Sequence, residues 1–271
     1  MSSELFDDHL FSLYSNLIDK TSGIHFSAAN RVVFESKIRD LLKQRKMGPM
    51  EYYRYLQQNP EEVKIFLDAL TTNLTSFFRN QSNWDSLQHE IIPELVRHVG
   101  KDKTIRIWSA GCSTGEEPYS LAMMFDACLP ESVTYKIIAC DLSLKSLHTA
   151  SEGIYSADKM IKVPEPYLDR YFEKEEGMYR VKKELKDRIV FDYHNLMNPM
   201  THGNFDLIVC RNVLIYFDKE SFLKVIRQFY NASVPHAFLI LGHSETLFNL
   251  NTGFYLKKGK YGCYYTKQKD E

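Results

Sequence analysis

The segment 105–122, IRIWSAGCSTGEEPYSLA, combines a short glycine loop with two neighbouring acids. Alternating apolar residues at its start predict a strand, Gly111 and Gly115 bracket a polar loop, and the following proline suits the first turn of a helix. Such loops often hold a phosphate against the amides at a helix N-terminus. Here Glu116 and Glu117 lie where the phosphate would be, so a phosphate-bearing ligand would meet repulsion on the order of several kcal/mol.

A third acid, Asp141, directly follows the predicted strand 135–140. In open α/β sheets an acid at this position accepts hydrogen bonds from the ribose hydroxyls of a nucleoside. A nucleoside that carries positive charge and no phosphate would suit both this acid and the acidic loop. S-adenosylmethionine, with its sulfonium and ammonium groups, is such a molecule, and we expect it as the cofactor. The alternative is that Glu116 and Glu117 only complement the helix dipole.

Composition and charge exclude several classes of protein. The chain has 271 residues, 44% hydrophobic and 25% charged, with a formal net charge of -1. These values are typical of a globular protein of one large or two smaller domains, and they argue against a general nucleic-acid binder. Five widely spaced cysteines without a CxxC pair predict reduced thiols and no metal site. The acidic N-terminus and the lack of a run of ~18 apolar residues predict neither a signal peptide nor a membrane span, so we expect a cytoplasmic protein.

The hydrophobic pattern divides the chain into two parts. Apolar residues at helical spacing predict an N-terminal helical domain over residues 1–75, including a helix over 28–46 that Gly48-Pro49 ends and a helix that opens at Asn59-Pro60. Residues 76–271 alternate apolar strands with amphipathic helices, which predicts a parallel, doubly wound α/β sheet with ligands at the carboxyl ends of the strands.

The predicted sheet contains a break and ends in a hairpin. Between residues 155 and 190 the strand–helix alternation is lost, which predicts a small inserted β-subdomain, with a helix over 167–172. Residues 254–256 and 261–266 predict a closing antiparallel pair with 257–260 as its turn. The remaining predicted strands are 105–109, 135–140, Ile189–Tyr193, Phe205–Cys210 and 238–241, and the predicted helices are 118–129, 144–151 and 220–232.

Four motifs resemble one enzyme family. They are TTNLTSFFR at 71–79, STGEEPYS at 113–120, CRNVLIYFD at 210–218 and GHSE at 242–245, and their types and order are similar to the chemotaxis receptor glutamate methyltransferases of the CheR type. The resemblance extends over nearly the whole chain. It implies a Rossmann-like class I methyltransferase fold and methyl transfer from S-adenosylmethionine to glutamate side chains on the cytoplasmic helices of chemoreceptors, with S-adenosylhomocysteine as the product.

The resemblance also implies individual site residues. Arg79 and Tyr216 would face the methyl group and the incoming carboxylate. A glutamate carboxylate, with an unperturbed pKa of about 4.3, needs no general base, so Arg79 would serve mainly to position it. The alternatives are that Arg79 is an ordinary surface arginine and that Tyr216 only packs against its neighbours. His243, in the GHSE segment, is interpreted as structural. The implied cofactor-binding residues are Asn73, Thr75, Arg79, Glu117, Asp141, Asn195, Leu196, Arg211 and Asn212.

The expected partner is the helical bundle of a chemoreceptor. Arg39, Lys43 and Lys46 share one flank of the second helix, where they are either a solvated face or a docking surface for acidic receptor helices. The short acidic loop 173–177 differs from the glycine-bearing loop of tether-dependent members of the family, so we expect no receptor tether. We expect a monomer that contacts the membrane only through its receptor.

Two rival functions are considered. An amino methyltransferase acting on nucleic acid commonly carries [N/D]PP[Y/F] after the fourth strand, where this chain has RNVLIY at 211–216. A non-catalytic module that binds S-adenosylmethionine would be indicated by loss of Arg79 or Tyr216 with Asp141 kept, but this sequence has all three.

Overall fold

The computed structural model describes residues 6–26, 30–71, 73–100 and 103–267. The predicted helix start at residue 28 and the motif residue Thr72 lie outside these ranges. Within them, no helix is long and apolar enough to cross a bilayer.

Four helices form the N-terminal part of the chain, as predicted. Their apolar faces meet in one core, in which Tyr14, Phe34, Tyr52 and Phe66 are fully buried. Burial of such aromatic side chains is the main source of stability for a small helical unit. The helices are α1 Asp8–Ser22, α2 Arg31–Arg45, α3 Pro49–Gln58 and α4 Pro60–Leu70.

The predicted end of the second helix at residue 46 agrees with the structure to one residue, but Gly48-Pro49 is not what ends it. Helix α2 ends at Arg45, because Lys46 adopts a left-handed conformation (φ 56°) and its N–H closes the helix on the carbonyls of Leu42 and Lys43. Pro49 instead begins α3, where the missing N–H costs no hydrogen bond. The same rule holds at Pro60, the predicted and observed start of α4.

The second part of the chain is built on strands and helices in alternation. After α5 Gln81–Ser86 and a π-helical turn Leu87–Ile91, the helices are α6 Ile92–Val99, α7 Glu116–Cys128, α8 Leu144–Glu152, α9 Glu165–Tyr171, α10 Lys183–Lys186 and α11 Lys219–Ala232. The strands are β1 Thr104–Ala110, β2 Thr134–Asp141, β3 Ile154–Ser156, β4 Phe172–Glu175, β5 Met178–Val181, β6 Ile189–Tyr193, β7 Phe205–Cys210, β8 Ser233–Leu241, β9 Phe254–Lys258 and β10 Cys263–Lys267.

The main sheet has seven strands in the order β6-β2-β1-β7-β8-β10-β9. The first five are parallel, and β10 runs antiparallel to both of its neighbours. From β1 the chain winds outward through β2 and β6, and then returns to place β7 and β8 on the other side. Ligands in such sheets bind at this reversal, outside the carboxyl ends of the strands. The predicted α/β fold is confirmed. Its topology predicts that a ligand binds at the loops after β1, β2 and β7.

The inserted β-subdomain is a separate three-stranded antiparallel sheet in the order β3-β5-β4. Its predicted end at residue 190 extends too far, because Ile189–Tyr193 pairs in parallel with β2 and belongs to the main sheet. The predicted helix over 167–172 is α9, and Phe172 already begins β4.

The C-terminal hairpin is present, but its turn lies later than predicted. Strand β9 continues through Lys258, and the hydrogen bond from Gly259 N to Gly262 O (2.9 Å) closes the turn. The charged residues at 257 and 258 therefore lie on an exposed edge strand, where lysines discourage pairing with other chains.

Candidate active site

A cavity of about 250 Å³ lies at the carboxyl ends of β1, β2 and β7 and is covered by the N-terminal helices. This is far more than the roughly 10–15 Å³ that one water molecule requires. The segment after α1, helix α2, the end of α4 and the linker 71–79 supply one wall, and the loops that follow the strands supply the other. All of the predicted site residues except Asn195 line it, namely Asn73, Thr75, Arg79, Glu117, Asp141, Leu196, Arg211, Asn212 and Tyr216.

The loop after β1 is fixed by close packing and by hydrogen bonds to β2. Gly111 and Gly115 have φ values of 85° and 96°, a region that side chains rarely allow. A Cβ atom on Gly111 would lie 2.3 Å from Cγ2 of Val213, so the loops after β1 and β7 touch at this point. The N–H groups of Gly111 and Cys112 donate to Cys140 O at 2.8 and 2.9 Å.

The carboxylate of Asp141 joins the loops after β1 and β2. Oδ2 accepts a hydrogen bond from Ser113 N (2.7 Å) and Oδ1 accepts one from Ser143 N (2.9 Å). Burial raises the pKa of Asp141, and these backbone N–H groups oppose that effect. The two hydrogen bonds hold the carboxylate rigidly. Each oxygen keeps a second lone pair that can accept a hydrogen bond from a ligand hydroxyl.

The two acids of the glycine loop point to different places, which corrects the expectation that both meet the ligand. Successive helical residues diverge by about 100°, and only Glu117 lines the cavity. Its Oε1 accepts from Ser109 Oγ (2.8 Å) and its Oε2 lies 3.4 Å from Arg211 Nη1. Burial raises the pKa of Glu117, and the charge of Arg211 lowers it in part.

Glu116 is fully buried and connects the loop to the inserted subdomain. Its Oε1 pairs with Lys159 Nζ at 2.9 Å, and its Oε2 accepts from Thr114 Oγ1 at 2.6 Å. The hydroxyl of Tyr155, also from the subdomain, donates to Thr114 O at 2.7 Å. Glu116 is therefore a structural residue that secures the back of the glycine loop.

The linker between the two parts of the chain carries three predicted site residues to the cavity. Asn73 Nδ2 donates to Ser143 Oγ (3.4 Å), and Arg79 Nη1 donates to Leu74 O (3.0 Å). The carbonyl of Arg79 accepts from Trp84 Nε1 at 2.9 Å and from Arg211 Nη2. Thr75 lines the cavity and is partly exposed.

The loop after β7 forms the floor and one side of the mouth. Arg211 is buried, and burial lowers the pKa of its guanidinium although Glu117 opposes this. Asn212 adopts a left-handed conformation (φ 61°). Tyr216 is 39% exposed at the end of the short 3₁₀ turn Leu214–Tyr216. It therefore reaches both the cavity and the solvent, whereas His243, interpreted as structural, is exposed.

The structure differs from the prediction for Asn195. Its Nδ2 donates to Thr21 O (2.6 Å) and its Oδ1 accepts from Met197 N (2.9 Å), so the side chain connects α1 to the loop after β6. The neighbours Leu196 and His194 line the cavity instead. His194 was missed because nothing in the sequence distinguishes its side chain from a surface histidine after a strand.

The cavity wall also contains polar atoms that have no partner among the described residues. They are Asn30 Oδ1, Ser113 Oγ, His194 Nε2, Arg211 Nε and Asn212 Oδ1, each buried and each on a residue of the lining. Buried polar groups of this kind are normally satisfied, so they indicate a polar ligand. No cluster of three or more potential metal-ligating side chains occurs within the described residues.

Family comparison assigns both parts of the chain. Residues 9–71 match the CheR methyltransferase all-alpha domain, and residues 73–263 match the CheR methyltransferase SAM binding domain. The chain belongs to the CheR methyltransferase family. The resemblance read from the four motifs is thereby confirmed, together with S-adenosylmethionine as the cofactor and a methyltransferase of the chemotaxis type as the enzyme class.

Curated relatives are similar over most of their length. This CheR chain is 36% identical to the chemotaxis protein methyltransferase of Salmonella typhimurium, over 93% of this chain and 88% of that protein. It is 35% identical to the chemotaxis protein methyltransferase of Borreliella burgdorferi, over 83% of each. It is 32% identical to chemotaxis protein methyltransferase 2 of Vibrio cholerae, over 98% of this chain and 96% of that protein.

The cavity of this CheR chain has the chemistry that S-adenosylmethionine requires. Asp141 offers carboxylate oxygens to ribose hydroxyls, and Glu117 offers negative charge to a cationic amino-acid tail. Ser113 Oγ and Asn212 Oδ1 add unpaired polar atoms in the same wall. The apolar side chain of Leu196 provides surface for an aromatic base.

The first prediction concerns Asp141. We expect Asp141→Asn to weaken S-adenosylhomocysteine binding roughly 10- to 100-fold, because a charge-assisted hydrogen-bond acceptor contributes about 1.5–3 kcal/mol. Calorimetry measures this directly. The matched control is Asp206→Asn, which alters a carboxylate that also accepts a backbone N–H (from Arg106, 2.8 Å) but does not line the cavity. Equal affinities for the two variants would refute the assignment.

The second prediction concerns pH. Because burial raises the pKa values of Glu117 and Asp141, both acids take up protons at a higher pH than ordinary carboxyls. Protonation removes the negative charge that favours the ammonium group and the ribose hydroxyls of the ligand, so S-adenosylhomocysteine affinity should fall as pH decreases through these raised pKa values and level off above them. Titration calorimetry from pH 5 to 8 tests this. Glu117→Gln should flatten the curve, and an unchanged slope would exclude Glu117 as a titrating contact.

Proposed function

We propose that this CheR methyltransferase transfers the methyl group of S-adenosylmethionine to glutamate side chains on the cytoplasmic helices of chemoreceptors and forms glutamyl methyl esters. The observation that carries the proposal is that Arg79 and Tyr216 both line the cavity and are both partly exposed, beside a cofactor site that contains Glu117 and Asp141. A cationic and a hydroxyl side chain at this position suit an anionic acceptor. Family membership favours neither the nucleic-acid methyltransferase nor the non-catalytic module.

Of the two arginines that line the cavity, Arg79 is the one available to an acceptor. Arg211 is buried, paired with Glu117, and bonded to the carbonyl of Arg79. Arg79 is partly exposed and donates from Nη1 to Leu74 O, which fixes its direction and leaves other N–H groups for a carboxylate. Among the described residues Arg79 has no acidic partner to neutralise it.

The proposed chemistry needs alignment more than proton transfer. When bound, the cofactor supplies an electrophilic methyl group on a sulfonium. A glutamate carboxylate is already ionised at neutral pH, so it forms the new O–C bond as the S–C bond breaks, and no proton moves. Arg79 holds the carboxylate oxygen that does not react. Tyr216 donates a hydrogen bond or limits the directions of approach, and binding of the acceptor over the cofactor excludes water from the reacting atoms.

The other predicted residues have supporting roles in this proposal. Asn73 and Thr75 present the linker to the cofactor, and Arg211 holds Glu117 in place. Asn195 acts on the site only through its bond to α1. We propose a boundary near residue 75 between the helical domain and the catalytic domain.

We propose that α2 contributes a docking surface for the receptor. The helix supplies Val33 and Lys37 to the cavity lining, and it carries Arg39 and Lys43 on another, solvent-exposed face. Arg39 and Lys43 are 58% and 80% exposed, and both lie near acids, since Arg39 bonds Glu35 at 3.2 Å and Lys43 lies 4.0 Å from Asp40. Such exposed pairs are weak, so both cations remain available, with Lys46, to steer acidic helices.

We propose that docking requires no receptor tether. Strands β4 and β5 are joined by only two residues, Glu176 and Gly177, with φ values of 49° and 80°. This is a tight hairpin turn with little surface for a peptide. We also propose that the enzyme is monomeric and cytoplasmic and reaches the membrane only through its receptor.

The proposal is tested by incubating the protein with radiolabelled S-adenosylmethionine and the cytoplasmic fragment of a chemoreceptor. We expect label in the receptor that is released as methanol by mild base, as a methyl ester requires. Base-stable label, or label in added nucleic acid, would overturn the proposal.

The third prediction concerns Arg79. We expect Arg79→Ala to lower kcat/KM for methyl transfer roughly 100-fold or more while S-adenosylhomocysteine affinity changes less, because its main contact is with the acceptor. Arg79→Lys keeps the charge and loses the planar fork, so it should recover only part of the rate. Equal losses of rate and of cofactor affinity would show that Arg79 is only a cofactor ligand.

The fourth prediction concerns docking. Reversing the charges of Arg39, Lys43 and Lys46 to Glu should raise the apparent KM for receptor, with an effect that shrinks at high salt. The control reverses Lys219, Lys224 and Arg227, exposed cations of α11 that do not line the cavity, and so gives the same change in net charge. A similar KM for both triple variants would leave α2 without a specific role.

A further inference from the structure

A buried carboxylate from the GHSE segment holds the loop after β7. Glu245 is 6% exposed and accepts four backbone N–H groups. Its Oε1 accepts from Val213 (2.9 Å) and Leu214 (2.7 Å), and its Oε2 accepts from Asn212 (3.0 Å) and Gly242 (2.6 Å). One side chain thus joins the ends of two neighbouring parallel strands, β7 and β8.

The fit around this carboxylate is close. A Cβ atom on Gly242 would lie 2.5 Å from Glu245 Oε2 and 2.9 Å from Asn212 N, so the strand end has no room for a side chain there. Asn212 is left-handed, and the three successive amides 212–214 converge on the acid. Convergent amides of this kind form a concave anion-binding site. Here the anion is the carboxylate of Glu245 itself. It has no ion-pair partner among the described residues, so the backbone amides are what hold it.

The segment held in this way carries the functional groups of the site. Arg211 precedes the three amides and Tyr216 follows them within the same turn. The unpaired Asn212 Oδ1 lies in the cavity wall. A shift in the backbone of 212–214 would therefore move groups that face both the cofactor and the acceptor.

We propose that Glu245 is a positioning residue for methyl transfer. Through the four backbone bonds it sets the conformation of residues 212–216, and so the placement of Asn212 and Tyr216. The kinetic part of this inference rests on the proposed function. A residue needed only for folding would change stability without changing binding or rate at temperatures where the protein remains folded.

The test uses Glu245→Gln in the full-length protein. The amide keeps the size of the side chain but replaces one acceptor oxygen with a donor that faces backbone N–H groups. We expect faster hydrogen exchange, measured by mass spectrometry on the cofactor-free protein, at residues 211–217 and not in the central strands. We also expect weaker S-adenosylhomocysteine binding and a kcat/KM for methyl transfer lower by roughly 10- to 100-fold.

The matched control is Glu62→Gln. Glu62 is also buried, at 7% exposed, and is also held by several hydrogen bonds, from Arg45 (2.7 and 2.9 Å) and Tyr52 (2.9 Å), but it lies in the helical domain away from the cavity. It should lower the unfolding temperature and leave cofactor affinity and kcat/KM close to wild type. Glu245→Asp, which keeps the charge with a shorter reach, should be intermediate, and it carries the same test if Glu245→Gln does not fold.

Unchanged exchange at 211–217 would overturn the inference, as would faster exchange there with wild-type affinity and rate. Failure of the proposed function has a different signature. In that case the wild-type protein would not methylate receptor glutamates, while Glu245→Gln would still loosen 211–217 and weaken S-adenosylhomocysteine binding.

Discussion

The site depends on buried carboxylates that accept backbone N–H groups where parallel strands end. At these ends the ladder of hydrogen bonds stops, and any buried amide left over must find another acceptor. Asp141 supplies acceptors between the loops after β1 and β2, and Glu245 supplies them between β7 and β8. Each acid fixes two loops at once, so the cavity has its shape before a ligand arrives. Such preorganisation lowers the cost of binding and of aligning the reacting atoms.

The helical domain is part of the same construction. Ser143, next to the Asp141 loop, donates to Asp68 of α4, and Lys37 of α2 caps the end of α4 with bonds to Leu70 O (2.8 Å) and Thr71 O (3.0 Å). On the other side, His25 N donates to Tyr216 O at 2.7 Å. The linker and the mouth are thus both held by the domain that carries the proposed docking helix. The position of the helical domain on the sheet therefore helps to determine the geometry of the active site.

Features set by local pattern were predictable from the sequence. The strands Ile189–Tyr193 and Phe205–Cys210 were placed correctly, because short apolar runs bounded by polar turns are typical of buried parallel strands. The proline rule placed the start of α4, and the acids after β1 and β2 indicated a cationic nucleoside. The four motifs added the residues of the linker and of the β7 loop, which no periodicity identifies.

Features set by contacts distant in sequence were not predictable. The direction of Glu117 depends in part on Arg211, and the buried pairing of Glu116 depends on Lys159, more than forty positions away. The side chain of Asn195 is taken by Thr21, and the four amides held by Glu245 belong to two different loops. Assignment of Ile189–Tyr193 to the main sheet required its pairing with β2. In each case the deciding partner becomes visible only once the chain is folded.

The bonds that Lys159 and Tyr155 make to the glycine loop have a consequence for the ancestry of the subdomain. A subdomain that made no contact with the cofactor loop could be lengthened, exchanged or deleted without affecting catalysis. This one braces the cofactor loop from behind, through Glu116 and the carbonyl of Thr114. A chimera that carries the subdomain of another relative must therefore contain a matching lysine and tyrosine. Without them the glycine loop that holds the cofactor would lose its contacts with the subdomain.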